Sequence, residues 1–173
     1  PLICIGGRVD DGGELPAKLK LVVQLVAVAV LINYGVVISF LPEGLWGNVG
    51  EWVITAIWVI GITNAVNFLD GMDGLAVGIC GIMTVFFGLV ALQNNQPYMV
   101  YLALPLVGAC LSLLPYNFRI RQPAAIFLGD AGSTFLGFMV AALAVMGDWA
   151  GDYTVRLIVP VLIVGVPIFD MAF

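Results

Sequence analysis

LAVGICGIMTVFFGLVAL, residues Leu75 to Leu92, runs for eighteen positions without a charged side chain, and a run of that length and polarity reads as a helix that crosses a bilayer. In hydrocarbon every backbone N–H and C=O must find its partner inside the segment, which leaves the helix as the conformation such a run can take. Working outward, runs of the same scale lie near residues 21–41, 52–69, 99–115, 133–147 and 157–173, so six spans are predicted in all. The fifth is short, and its start is allowed to lie earlier, inside the Gly129–Gly132 turn. The bulk composition agrees: 173 residues are 62% hydrophobic and 10% charged, with a mean hydropathy of +1.11. Soluble domains are about half apolar and about a quarter charged. The expected fold is all-α, a polytopic integral-membrane helix bundle forming one domain over residues 1–173.

Six crossings place alternate connections on opposite sides of the membrane. Arg8, Lys18, Lys20, Arg119 and Arg121 then share one side and Arg156 stands alone on the other, so the first side is cytoplasmic by the positive-inside rule. Asp10, Asp11, Glu14, Asp70, Asp73, Asp130 and Asp170 fall on that face, with Glu43, Glu51, Asp148 and Asp152 opposite. A net charge of -5 with thinly spread basic residues argues against a nucleic-acid partner, which requires clustered Lys and Arg. Cys4, Cys80 and Cys110 make no C-x-x-C pair and read as small buried hydrophobes. No histidine is present to serve as base or metal ligand. No basic segment followed by a cleavable apolar stretch opens the chain, and both ends lie within apolar runs, so a piece of a longer protein is expected.

The cytoplasmic acids carry the functional reading. Asn64, Asn67, Asp70 and Asp73 follow one another at three-residue steps, which on a continuing helix makes a slowly turning polar ridge. Such groups are costly near hydrocarbon unless they face protein, ligand or water. Gly71 and Gly74 permit tight turns between the acids, while Gly74 and Gly78 form a small-x-x-x-small pair suited to helix packing. Asp10–Asp11, the Asn64–Asp73 stretch and Gly129–Asp130 bring carboxylates from three separate loops to one face. Mg2+ needs one or two protein carboxylates plus substrate phosphates, and it holds attacking and leaving oxygens of a diphosphate in line. Lys18, Lys20, Arg119 and Arg121 lie on the same side, either to meet phosphate or to snorkel to the interface.

Four motifs, DDGGELPAKLKLVVQ (Asp10–Gln24), NAVNFLDGMDGLAVG (Asn64–Gly78), IFLGDAGSTFLGF (Ile126–Phe138) and PIFDMAF (Pro167–Phe173), resemble in order and spacing the polyprenyl-phosphate N-acetylhexosamine-1-phosphate transferases. The resemblance implies attack by a lipid phosphate oxygen on the sugar-bearing phosphorus of a UDP-sugar, giving a lipid diphosphosugar and UMP with Mg2+, or Mn2+ in its place. It makes Asp130 and Asn67 the metal ligands, and Asp10 and Asp11 the catalytic pair, as base or as organisers of charge. Lys20 falls near the diphosphate. Asn64, Asp70, Gly71 and Asp73 belong to the nucleotide-side motif, Phe127 matches the aromatic that stacks on uracil, and Asn117 is a further substrate-side candidate. The early spans and a histidine-containing loop after PIFDMAF are missing from the pattern, so the 173-residue piece alone is expected to be inactive.

The wording of NFLDGMDG and GDAGSTFLGF is nearer the undecaprenyl-phosphate GlcNAc-1-phosphate transferases than the phospho-MurNAc-pentapeptide transferases, which remain the alternative. The implied setting is the bacterial plasma membrane, multi-pass, with the active face cytoplasmic; the substrates are a UDP-N-acetylhexosamine and polyprenyl phosphate. A homodimer is one option for the assembly, and the glycan served, lipopolysaccharide or teichoic acid, is left open. A cation transporter is the competing class, but its acids belong near the bilayer midplane on broken helices. A CDP-alcohol phosphotransferase requires an Arg soon after Asp-Gly and two further spaced aspartates, which Asp73-Gly74-Leu75-Ala76-Val77-Gly78 lacks.

Overall fold

A computed structural model describes residues 3–4, 6–7, 16–42, 44–149 and 153–172. From Ala17 onward the chain forms α1 (Ala17–Asn33), α2 (Leu45–Leu69), α3 (Leu75–Gln93), α4 (Pro97–Asn117), α5 (Gly129–Met146), α6 (Tyr153–Ile163) and α7 (Gly165–Ala172). No strand occurs among the described residues, as the all-α reading requires.

The helix limits follow from local chemistry. Gly74, at φ +78°, turns the chain into α3, and Asn95, at φ +56°, carries it out before Pro97 opens α4. Proline suits that position because the first-turn N–H it lacks has no partner there in any case. α5 starts at Gly129 with φ +69°, so the fifth span does begin inside the Gly129–Gly132 turn.

Among the described residues four helices, α2, α3, α4 and α5, are long and apolar enough to cross a bilayer, with 25, 19, 21 and 18 residues, and the chain is a multi-pass membrane protein. The other two predicted spans take different forms. In place of a helix over 21–41, α1 has 17 residues, at the lower edge of the usable range, and the chain leaves the helix at Tyr34 and Gly35. The run predicted over 157–173 is divided at Val164 into α6 and α7.

The most extensive packing is of α3 on α4 and of α2 on α5, with α1 and α7 set against α2. Val59, Val66, Val77, Phe87, Met99, Val140 and Leu143 form the centre of the core. Many outward residues, among them Ile57, Ile82, Tyr101 and Leu111, are large and exposed. This is the arrangement of a bundle whose solvent is lipid, where hydrocarbon outside offers no hydrophobic drive and close packing holds the helices together. Thr63 and Thr84 satisfy their hydroxyls by donating to the carbonyls four residues back, Val59 O at 2.6 Å and Cys80 O at 2.7 Å.

Gly137 is where α5 and α2 approach most tightly. A Cβ there would stand 2.9 Å from Thr63 Cα, 3.0 Å from Thr63 O and 3.0 Å from Val66 Cβ, so backbone would have to move. Gly137→Leu should therefore destabilise the bundle by about 1–3 kcal/mol or more, read as a lowered Tm of the detergent-solubilised protein. An unchanged Tm would mean that the two helices do not cross at this point.

Side-chain bonds between loops sort the connections into two ends. At one end Gln96 pairs with the backbone of Asp148, accepting its N–H at 2.9 Å, and Asn94 donates to Trp149 O at 2.9 Å. There Trp149 donates its indole N–H to Ala144 O at 2.8 Å and packs its ring 4.8 Å from that of Phe87. At the other end the 70–74 turn is bonded to the 118–128 loop through Asn117 and Asp73. These pairings are the ones that alternate crossings predict.

Candidate functional site

The polar groups of the second end meet at one carboxylate. Asp130 lies in the first turn of α5, where the helix dipole favours negative charge. Its Oδ2 accepts from Lys20 Nζ of α1 at 3.3 Å, and its Oδ1 accepts from Asn67 Nδ2 of α2 at 2.6 Å. Asn67 Nδ2 also donates to Ser133 Oγ at 2.8 Å, and Ser133 in turn donates to Gly129 O at 2.9 Å. Three helices are thereby fastened to a single acid. The side chains of Lys20 and Asp130 are 26% and 38% exposed, so the cluster opens to solvent at the bundle's end rather than lying sealed at mid-depth.

Gly7 brings a fourth segment of the chain to this place. A Cβ at Gly7 would lie 2.3 Å from Ala131 Cα and 3.0 Å from the Asp130 carbonyl carbon, so only glycine allows the backbone this close to the start of α5. Asp10 and Asp11, three and four positions later, lie outside the described residues.

Asn64 and Asn67 share a helix but not a task. The Asn64 carboxamide forms a reciprocal pair with Gln24, each Nδ2 or Nε2 donating to the other's oxygen at 3.1 Å, and Nδ2 also donates to Ile60 O at 2.9 Å. Gln24 is buried, and the pair joins α1 to α2 one turn deeper than Lys20. Asn64 is thus occupied by protein, while Asn67 reaches the acid.

Asp70, at the end of α2, and exposed Gly71 make the turn after Leu69, where the Asp70 N–H donates to Asn67 O at 3.3 Å. Asp73 accepts the Ala124 N–H at 3.0 Å. Asn117 is buried between Gly74 and Ile126, whereas the Phe127 ring is 71% exposed on the loop just before α5. Arg119 donates to Pro123 O at 3.1 Å within that loop. The structure therefore gathers Lys20, Asn67 and Asp130, sets Asp70, Gly71 and Asp73 in the neighbouring turn, and keeps Asn64 within the helix pair.

Ser133 joins the cluster through Asn67, and Gln24 holds Asn64 beside it; neither is a candidate on the sequence alone. Each had a signal: Gln24 is one turn beyond Lys20 on the same face of α1, and Ser133 one turn beyond Asp130 on α5.

The donor set suits a hard cation. Asp130 offers a carboxylate with the Asn67 amide beside it, and Cys80 and Cys110 are buried in the apolar core. Among the described residues no three His, Cys, Asp or Glu side chains assemble into a site. One carboxylate, which an amide able to ligate through its Oδ1 would join, leaves coordination positions for phosphate oxygens and water, and Mg2+ is commonly held by one or two carboxylates in this way.

Residues 1–148 match the family described as glycosyl transferase family 4. The chain is 34% identical to the probable undecaprenyl-phosphate N-acetylglucosaminyl 1-phosphate transferase of Bacillus subtilis, over 99% of this chain and 49% of that protein. It is 36% identical to a phospho-N-acetylmuramoyl-pentapeptide-transferase of Moorella thermoacetica, over 81% of this chain and 48% of that protein. A decaprenyl-phosphate N-acetylglucosaminephosphotransferase of Mycobacterium tuberculosis is 36% identical over 79% of this chain and 37% of its own length. The chain spans half or less of the length of these relatives.

Proposed function

The chain belongs to glycosyl transferase family 4, and from that membership we propose that the protein transfers N-acetylglucosamine 1-phosphate from UDP-GlcNAc to undecaprenyl phosphate in the bacterial plasma membrane. The bond formed joins a lipid phosphate oxygen to the sugar-bearing phosphorus. The bond broken runs from that phosphorus to the bridging oxygen, and UMP leaves with the electron pair.

The observation that carries the reading is the Lys20–Asp130–Asn67 cluster at the open end of a membrane bundle. An acceptor lipid can reach that end from the bilayer, and a soluble nucleotide from water. Asp130 and Asn67 would hold Mg2+, which supplies charge compensation for the diphosphate. Lys20 presents an ammonium to phosphate, the Asp70–Asp73 turn borders the nucleotide, and Phe127 offers an exposed ring for a base to stack on. Asp10 and Asp11 are proposed as the groups that orient the lipid phosphate for attack. By the distribution of Lys and Arg, this end is cytoplasmic.

The place of the acids weighs against the transporter class. Asp130 is in the first turn of its helix and partly exposed, and Asp70 is at a helix end, neither of them near mid-depth on a broken helix. The likeness to the Moorella thermoacetica protein keeps UDP-MurNAc-pentapeptide as the second candidate donor.

Membranes carrying the protein at its full natural length, given radiolabelled UDP-GlcNAc, undecaprenyl phosphate and Mg2+, should yield labelled lipid and equimolar UMP, both abolished by EDTA. Labelling from UDP-MurNAc-pentapeptide alone would keep the chemistry and change the donor. Silence with every UDP-sugar would end the transferase reading.

A further inference from the structure

Asn117, the last residue of α4, is 3% exposed, and both ends of its carboxamide are bonded to backbone. Its Oδ1 accepts the Gly74 N–H at 2.9 Å, and its Nδ2 donates to Ile126 O at 3.0 Å. One amide thus ties the turn that follows Asp70 and Asp73 to the residue immediately before Phe127. Two further sets of bonds run alongside. Asp73 Oδ2 accepts the Ala124 N–H at 3.0 Å, and Tyr116 O accepts the N–H groups of Ala125 at 2.8 Å and Ile126 at 3.3 Å.

The fit around Gly74 is equally tight. At φ +78° it occupies the left-handed region, and a Cβ there would lie 2.5 Å from Phe118 Cβ. The turn and the loop are therefore bonded and packed into one unit. Phe127 projects from this unit with 71% of its surface exposed, so its position depends mainly on the backbone that carries it.

We propose that Asn117 is a positioning residue for the nucleotide-sugar: it fixes the distance between the Asp70–Asp73 turn and the Phe127 ring, and it does not itself touch the substrate. The proposal rests on the transferase reading. A buried amide with its oxygen and nitrogen already committed to Gly74 and Ile126 is poorly placed to reach a base. With that amide removed, fewer bonds hold residues 118–128 when the nucleotide-sugar arrives, and the cost of fixing them falls on binding rather than on the chemical step.

The test combines hydrogen exchange without substrate and steady-state kinetics, on the detergent-solubilised protein at its full natural length. Asn117→Ala should speed exchange at Gly74 and across 118–127 about tenfold or more, leaving α3 and α5 protected. It should raise KM for the UDP-sugar about tenfold while kcat and KM for the lipid change by less than about threefold. Asn117→Asp has nearly the same volume and guards against a folding defect. It keeps the acceptor for Gly74 and, when ionised, loses the donor to Ile126. Exchange should then rise at 124–127 with Gly74 still protected, and KM should rise as well.

A raised KM with unchanged exchange would mean that Asn117 meets the nucleotide directly, and would overturn the proposal. Faster exchange with unchanged KM would overturn it too, because the loop would then not place the substrate. A fully active wild type beside an Asn117→Asp protein with normal KM rejects the positioning role alone. A wild type inert with every UDP-sugar removes the transferase reading and the positioning role together.

Discussion

Asp130→Asn should lower the rate of lipid labelling about 10²–10³-fold, a rise of roughly 2.7–4 kcal/mol in the barrier, with the melting temperature nearly unchanged. The substitution conserves shape, and the new amide oxygen can still accept from Asn67. What disappears is the negative charge shared by Lys20 and Asn67 from two other helices. A neutral amide binds a divalent cation far more weakly than a carboxylate does, and raising Mg2+ should restore only part of the activity. Because the carboxylate is partly exposed, its loss leaves no sealed unpaired charge, so a folding defect is not the expected cause. The check is transfer by membranes with matched protein content over a Mg2+ series. Turnover within about threefold of wild type, with its usual Mg2+ dependence, would remove Asp130 from the metal site.

How much of this was legible beforehand depended on whether a feature was local. The third helix, expected at 75–92 and found at Leu75–Gln93, is bounded by Gly74 and Asn94–Asn95, residues whose turn chemistry is visible in the sequence. The first span shows the opposite case. Hydropathy continues through Val36–Phe40, but Gly35 adopts φ +82° and the chain runs on without helix. Its donors are met from α2: Thr55 Oγ1 accepts the Ile38 N–H at 3.0 Å, and Glu51 Oε1 those of Phe40 at 2.8 Å and Leu41 at 3.0 Å. An apolar run does not state whether its backbone partners lie within itself or on another helix.

The site divides along the same line. Asn67 is legible as part of a polar ridge at a membrane helix end and Asp130 as one of the carboxylates converging on that face, while their pairing as metal ligands is what the family resemblance implies. Asn64 carries the same chemistry at the same spacing, yet its partner Gln24 lies 40 residues away and takes up its amide. For Asn117, the sequence supplied a polar residue near a loop. Only the fold shows that its bonds go to Gly74 and Ile126.

Lys20→Met should move two measurements in opposite directions. The ammonium sits 3.3 Å from Asp130 Oδ2, the carboxylate that is also proposed to hold the cation. Before substrate arrives, ammonium and cation compete for the same charge. Removing the ammonium should therefore tighten Mn2+ binding, but only slightly, because a partly exposed pair contributes about 0.2–1 kcal/mol, or roughly 1.4- to 5-fold in affinity. Transfer should fall much further. A charge-assisted hydrogen bond to phosphate amounts to about 1.5–3 kcal/mol, which sets the expected loss in kcat/KM for undecaprenyl phosphate at about 10- to 150-fold. Methionine keeps most of the apolar stem, so the loss is assigned to the charge and not to packing. Mn2+ titration followed by electron paramagnetic resonance, alongside the labelling assay, separates the possibilities. Tighter Mn2+ with slower transfer is the signature of a lysine that releases Asp130 and turns to phosphate. No change in either would make Lys20 an interfacial anchor, and slower transfer with weaker Mn2+ would mean that the pair holds the carboxylate in place for the metal.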